Sequence, residues 1–275
     1  MRAYDRFNLW GSRVLIWFAI IITMLPLYWV VVASFQSGEA FFSESLLPTS
    51  FTLDNYSKVL NETDFKSWMT NSLILSTGVA LFQTLMTVFA AYAFSRMRFL
   101  GRKYGLMTLL ILQMFPNFMA ISAIFGLVAK FDLMDSIWAL MLVMIGGNAF
   151  NIWLMKGYLD ALPKDIDEAA TVDGASHWQI FWRIILPLSV PMLAVIFLFS
   201  FIGVYAEFVL SSVLLKSPEN LTLAVGLQMF IKNQFSANWT AFSAAAVMVC
   251  VPVVVIFMLL QRWIASGLMA GSVKG

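Results

Sequence analysis

One histidine, His177, and one cysteine, Cys250, are all that this chain offers for imidazole or thiolate metal ligation and for thiol chemistry. A histidine metal site needs several imidazoles, and a disulfide or thiolate cluster needs a second cysteine. No Gly-x-x-x-x-Gly-Lys-Ser/Thr phosphate loop occurs, so the chain itself is not expected to hydrolyse ATP. What stands out instead is a polar island, Lys156 to Trp178, between long apolar runs. Pro163 suits a first helical turn, where its missing N–H is not needed. Asp165, Asp167 and Glu168 then sit at the positive end of a helix dipole. Ile166, Ala169, Ala170 and Asp173 follow at helical spacing on or near one face. Gly174 provides a left-handed stop, and Ser176 with Gln179 forms a capping box for a second helix that runs on through Leu186 and Pro187. A short helix with an Ala-Ala face lets a partner approach closely, and its acidic rim can fix the register of a basic one. The alternative is a solvated loop that only connects two spans.

The second candidate is Glu207, the one ionisable side chain that falls within an apolar run. A charge at mid-membrane costs on the order of 3 kcal/mol and normally faces a bundle interior or a wet cavity. With Tyr205 and Ser211 beside it, Glu207 is a candidate for lining a translocation path. The competing readings are a helix–helix hydrogen bond, or a position closer to the outer interface.

The elements that must position these residues follow from composition. The 275 residues are 61% hydrophobic and 12% charged, with a mean hydropathy of +0.84. Soluble domains carry roughly 25% charged residues, so this composition specifies a multi-pass, all-α membrane protein. The 25 Phe and 10 Trp fit lipid and interface contacts, and a net charge of +2 gives no footprint for nucleic acid. Six spans are expected, at about 14–36, 69–95, 104–128, 136–156, 184–213 and 241–264, each near the roughly 20 residues a bilayer requires. Pro26 and Pro116 fall inside them. No cleavable signal is evident, so residues 1–13 read as a cytoplasmic N-terminus, 157–183 as a cytoplasmic loop and 265–275 as a cytoplasmic tail. With the N-terminus inside, the inner segments hold twelve of the 17 Lys and Arg, including Arg96, Arg98, Arg102 and Lys103. The outer segments hold five: Lys58, Lys66, Lys130, Lys216 and Lys232. That bias favours both termini inside and puts the island on the ATP side.

Glu168-Ala-Ala-Thr-Val-Asp173-Gly174-Ala175, followed by Phe181-Trp-Arg-Ile184-Ile-Leu186-Pro187-Leu188, resembles the "EAA" loop of bacterial ABC importer permeases. Gln113-Met-Phe-Pro116, Leu186-Pro-Leu-Ser-Val-Pro191, Thr222-Leu-Ala-Val-Gly226 and Gln261-Arg-Trp263 extend the resemblance across nearly the whole chain. They are similar to the carbohydrate-uptake branch of that family, and within it to the smaller maltose/maltodextrin permease subunit. The resemblance implies a type I importer permease, a non-enzymatic subunit in the bacterial cytoplasmic membrane. Its partners would be a second homologous permease (a heterodimer), a dimeric cytoplasmic ATPase that carries ATP and Mg²⁺, and an extracytoplasmic sugar-binding protein. It implies no cofactor in this chain. It implies ATPase coupling through Ile166, Glu168, Ala169, Ala170, Asp173, Gly174, Ala175, Leu186 and Pro187, and a tail contact with the ATPase through Gly271, Lys274 and Gly275. It also implies that the membrane sugar site lies mostly in the larger permease, so no sugar-binding cage is assigned to this subunit. Two other classes remain as alternatives. An ion-coupled secondary transporter needs coupling-ion groups at mid-membrane, and a membrane enzyme needs more chemical groups than one His, one Cys and one Glu.

Overall fold

The computed structural model describes residues 3–38, 51–114, 117–232 and 238–270, and every regular element among them is helical. In chain order these are α1 (Ala3–Ser34), α2 (Asp54–Glu62), α3 (Phe65–Arg96), α4 (Gly105–Gln113), α5 (Asn117–Lys130), α6 (Ile137–Ile145) and α7 (Ala149–Ala161). They continue as α8 (Asp165–Val172), α9 (His177–Ile180), a π-helical turn (Phe181–Ile185), α10 (Leu186–Tyr205), α11 (Val209–Leu214), a 3₁₀ turn (Pro218–Asn220), α12 (Leu223–Met229) and α13 (Trp239–Ala270). Four stretches are long and apolar enough to cross a membrane: Trp10–Ser34, Phe65–Arg96, the continuous run His177–Tyr205, and Trp239–Ile264. The pair α6–α7, bent by 47°, makes a fifth if counted as one span.

Three expected spans differ from continuous helices. The 104–128 span is divided into α4 and α5. Nine residues of α4 reach only about 13 Å, under half of a hydrocarbon core of roughly 30 Å. Gln113 ends α4, and its Oε1 accepts the Phe150 N–H at 3.1 Å, so its polar end serves the first turn of α7. The 136–156 span breaks at Gly146-Gly147-Asn148, where a polar side chain and two residues without Cβ replace the apolar pattern. The 184–213 span ends at Tyr205 and restarts as α11.

The chain forms two compact units. One comprises the chain up to Lys66 together with Gly226–Val251. There Asn55 Nδ2 donates to the carbonyls of Ser34 (3.0 Å) and Gln36 (2.8 Å), which closes the end of α1 onto α2. Tyr56 OH lies 2.7 Å from Ser34 Oγ, and Phe35 stacks on Phe51. Residues 10–28 of α1 are exposed along nearly their whole length, as suits a helix that meets lipid or another chain rather than its own core.

The other unit, Ser67–Val225 with the chain from Pro252, holds the residues of interest. Its core gathers Val88, Ala91 and Tyr92 from α3, Met155 and Leu159 from α7, Ile180, Phe181 and Ile185 around the π turn, and Ile196 from α10. Ala170 and Ala175 pack against this cluster from the loop that carries α8.

Candidate coupling and translocation sites

The local sequence accounts for α8 and its ends. Asp165, Asp167 and Glu168 occupy its first turn. At the other end Gly174 has φ +81°, a backbone angle only glycine adopts cheaply. The Ala175 N–H reaches back to the Ala170 carbonyl (2.9 Å) and the Gly174 N–H to that of Thr171 (3.0 Å), the paired bonds of a Schellman motif. Ser176 then caps α9: its Oγ accepts the Gln179 N–H at 3.3 Å, and Gln179 Oε1 accepts the Ser176 N–H at 2.8 Å. The π turn follows from Pro187. That residue lacks the N–H that would bond the Arg183 carbonyl, and its ring crowds it, so the ladder widens just upstream.

No residue of α8 is buried. Ile166, Glu168, Ala169, Asp173, Gly174 and, on α10, Pro187 are exposed, whereas Ala170, Ala175 and Leu186 turn toward the core cluster. The expected nine-residue set therefore divides into an outward face and an inward anchor. The sequence reading passed over Val172, whose side chain is 87% exposed. Ile166, Ala169 and Val172 lie three residues apart and form an exposed apolar stripe, and that spacing was the available signal.

An ion pair holds α8 in place. Arg96, the last residue of α3, pairs through Nε with Asp167 Oδ2. Its Nη2 donates to the Leu162 carbonyl and its Nη1 to Ser95 Oγ, both at 3.2 Å. Ser95 Oγ in turn donates to Asp160 Oδ1 at 2.6 Å, and Asp160 pairs with Lys156. Arg102 folds back to cap α3, donating to the carbonyls of Phe94 and Ser95. Tyr92 OH donates to the His177 carbonyl at 3.3 Å. Asp167 is thus committed inward rather than free on the acidic rim. Arg96 enters the sequence argument only as a positive-inside charge, because the contact joins residues far apart in the chain. Beside this region Phe89 stacks on Phe181 at 4.9 Å, and Trp178 meets Trp182 edge-on at 5.4 Å with its own ring largely exposed, an arrangement suited to a membrane interface.

Glu207 sits at the break between α10 and α11 rather than within a helix. Its carboxylate accepts the N–H groups of Leu210 (2.6 Å) and Ser211 (3.0 Å) and the hydroxyl of Ser211 (2.6 Å), so it caps α11. The break exists because a charged side chain gains more from unpaired amides than from apolar helix. Glu207 also lines a cavity of about 670 Å³. Tyr205 and Ser211 are buried and are not among its lining residues. Tyr205 OH instead donates to Met69 Sδ at 3.5 Å.

Across the cavity lies a polar network at the α6–α7 bend. Asn148 Nδ2 donates to Thr87 Oγ1 (2.6 Å) and the Gln83 carbonyl (2.8 Å), and Gln83 Nε2 donates to the Met144 carbonyl (2.9 Å). Asn151 Nδ2 donates to Asn148 Oδ1 (2.8 Å) and Ser200 Oγ (3.0 Å). This network, spread over α3, α7 and α10, was not singled out from the sequence. Its signal was three amide side chains within apolar runs, a costly placement unless they find partners.

On the connecting segments, Asp135 (φ +60°) accepts the N–H groups of Lys216 (2.7 Å) and Ser217 (3.0 Å), and Asn220 Nδ2 donates to both its carboxylate and its carbonyl. Burial alone would raise its pKa. The hydrogen bonds from Ser217, Lys216 and Asn220 prevail and hold it at about 2. Asn71 Nδ2 bonds the carbonyls of Glu219 and Leu221, and Trp68 Nε1 that of Pro218, so residues 215–222 are pinned from two sides. Gly271, Lys274 and Gly275, the expected tail contact, lie outside the described residues. Among those described, no cluster of His, Cys, Asp and Glu could hold a metal ion.

A helical membrane subunit with a short, exposed helix held on the end of a span, and a largely apolar cavity that carries a few polar side chains, is the class these features define. The chain belongs to the family of binding-protein-dependent transport system inner membrane components, whose model matches residues 83–269. It is 43% identical over 268 residues to the galactooligosaccharides transport system permease protein GanQ of Bacillus subtilis, covering 96% of this chain and 95% of that one. The maltodextrin transport system permease protein MdxG of the same organism is 40% identical over 256 residues, 93% and 92% of the two chains. The maltose/maltodextrin permease MalG of Vibrio parahaemolyticus is 35% identical, over 98% and 97%. A bacterial ABC transporter involved in the import of the acidic polysaccharide alginate contains a chain of the same fold, with a TM-score of 0.81 at 24% identity, covering 96% of this chain and 99% of that one.

Proposed function

We propose that this chain is one permease subunit of an ATP-driven, binding-protein-dependent importer of neutral oligosaccharides of the maltodextrin or galactooligosaccharide kind. It crosses the bacterial cytoplasmic membrane six times, with α4 and α5 together completing the third crossing and both termini cytoplasmic. A second homologous permease completes the translocation path, a separate dimeric ATPase holds ATP and Mg²⁺, and an extracytoplasmic sugar-binding protein delivers the substrate. In this reading α8 is the coupling helix. The stripe Ile166, Ala169 and Val172, rimmed by Glu168 and Asp173, docks on the ATPase. Ala170, Ala175 and Leu186 tie the helix to the spans, and Gly271, Lys274 and Gly275 add a tail contact.

The observation that carries the reading is the exposed α8 itself, a helix without a buried residue that an ion pair and a Schellman turn hold rigidly on the end of a span. A helix so placed can pass a partner's movement to α3, α7 and α10 as a rigid body. No observation favours ion coupling.

Affinity purification of the tagged chain from native membranes in mild detergent tests the proposal. A second permease and an ATPase with a phosphate loop should co-purify. Gly174→Glu should insert normally yet lose the ATPase, because it strains the turn and adds charge to the docking face. A chain that purifies alone and transports in liposomes without ATP would overturn the proposal.

A further inference from the structure

The turn between α3 and α4 carries a second concavity, apart from the one beside Glu207. It holds about 550 Å³. Three cations line it: Arg102 and Lys103 from the turn, and Lys156 from α7. No carboxylate does, and Phe94, Phe99 and Leu100 supply apolar wall. From Arg96 to Lys103 the sequence has four cations and no Asp or Glu. The nearby carboxylates are spent: Asp167 pairs with Arg96, and Asp160 with Lys156 and the Ser95 hydroxyl. Lys156 has three N–H donors and gives one to Asp160. Among the described residues Arg98 and Lys103 have no carboxylate partner. Lys103 Nζ lies over the Tyr104 ring, 5.1 Å from its centre, a contact that leaves its charge unneutralised.

The turn is held in shape before any ligand arrives. Gly101 has φ +92°, and its carbonyl accepts the N–H groups of Tyr104 (3.2 Å) and Gly105 (2.6 Å). Arg102 Nε donates to the Phe94 carbonyl (2.9 Å) and Nη2 to that of Ser95 (2.7 Å), so the guanidinium is fixed and Nη1 is left for a ligand. A planar guanidinium and two ammonium groups around one concavity suit a phosphate ester. The surroundings favour a phosphate that carries hydrocarbon. The concavity lies at the end of α3, which is long enough to span a membrane. Leu100 at the tip of the turn is fully exposed. From there Tyr104, Met107 and Ile111, three and four residues apart and each more than half exposed, run as an apolar strip along α4. A soluble phosphate would have no use for that strip. A zwitterionic headgroup would bring its own cation against three.

We propose that the α3–α4 turn is a binding site for an anionic phospholipid: Arg102, Lys103 and Lys156 take the headgroup phosphate, and the acyl chains lie along Tyr104, Met107 and Ile111. The site goes beyond the transport function and rests on the importer reading only for its place on the cytoplasmic side. The turn begins at Arg96, so a lipid held there also steadies the residue that anchors α8.

The test is native mass spectrometry of the full chain, with the partners it retains, from neutral detergent holding phosphatidylglycerol and phosphatidylcholine at equal concentration. The parent should keep one phosphatidylglycerol in preference to phosphatidylcholine, and inorganic phosphate in excess should not displace it. Lys103→Gln should weaken phosphatidylglycerol binding about fivefold, and Lys103→Gln with Lys156→Gln about 25-fold, as one and two cations at a headgroup imply. Lys103 is exposed, so its variant keeps the fold and the Arg102 cap, and it decides the matter should the double variant fail to fold. Lys130→Gln, at the end of α5, should change nothing. No preference for phosphatidylglycerol, displacement by inorganic phosphate, or equal losses in Lys103→Gln and Lys130→Gln would overturn the proposal. So would a Lys103→Gln chain that keeps its lipid but loses the ATPase, which would make the turn a protein contact. Lipid binding in detergent does not depend on which side the turn faces, so it decides the site whether or not an ATPase co-purifies, and the importer reading fails separately.

Discussion

Replacing Asp167 with alanine should loosen α8 without disturbing α3. In the parent the side chains of Arg96 and Asp167 are only 7% and 18% exposed, so the pair is largely out of water. Removing one member of a fully buried pair costs about 3–5 kcal/mol, because the other charge is left stranded. Here Arg96 keeps its bonds to Ser95 Oγ and the Leu162 carbonyl, and Asp167 has some solvent access, so about 2 kcal/mol is the expected loss. No residue of α8 is buried, so the pair supplies a large part of what holds the helix down, and the loss should appear as local opening. At 1.4 kcal/mol per decade, 2 kcal/mol corresponds to roughly 30-fold faster hydrogen exchange at the α8 amides, for example Thr171 to Asp173. Exchange in α3 up to Ala93 should stay slow. Arg96→Ala should do the same, and the double variant should show a coupling energy of about 1–2 kcal/mol. Exchange in α8 that stays at the parent rate, or single effects that simply add, would refute the idea that this pair anchors the helix.

Three further perturbations separate the remaining contacts. Val172→Asp leaves the fold within about 0.5 kcal/mol of the parent, since the side chain touches nothing inside, but abolishes ATPase co-purification by charging the apolar stripe; thermal unfolding and pull-down together check this. Asn148→Ala removes the donor shared by Thr87 and the Gln83 carbonyl and an acceptor of Asn151, and should destabilise the detergent-solubilised protein by about 1–2 kcal/mol, read as a lower midpoint of thermal unfolding. Asp135 has a folded pKa of about 2 against an ordinary 3.8, so its contribution is fully present above about pH 3.8 and is lost as the pH falls through about 2. Pepsin should therefore cut the 215–221 segment of Asp135→Asn more readily than that of the parent near pH 4, and the difference should vanish toward pH 2.

What was legible in the sequence was whatever is local. The helix at 165–172, its glycine stop and the Ser176 capping box follow from neighbours three to six residues apart, and the structure has all three. Helix class and the four long apolar helices follow from composition and run length. The interruptions were not legible, because a hydropathy run at 104–128 or 184–213 reads the same whether or not a polar group breaks it. Gln113 and Glu207 look like isolated polar residues in a run; only the fold shows each spent on the first turn of another helix, α7 and α11. Arg96 and Asp167 are separated by 70 residues of sequence, and nothing local to either marks the other as its partner.

The two sites are joined by the elements they share. Gln83 and Thr87 at the cavity network and Arg96 at the α8 anchor are all on α3. Asn151 and Asp160 are both on α7. Ser200 is on α10, whose first turn continues the core around Ile185. At 1.5 Å per residue the two ends of each connection lie roughly 13–23 Å apart along the helix. No chain of side-chain contacts needs to cross that distance, because a packed helix moves as a body and both networks are fastened to the same three. Displacing α8 should therefore carry α3, α7 and α10 together and leave intact the bond between Asn151 and Ser200, which fastens α7 to α10 at the cavity wall.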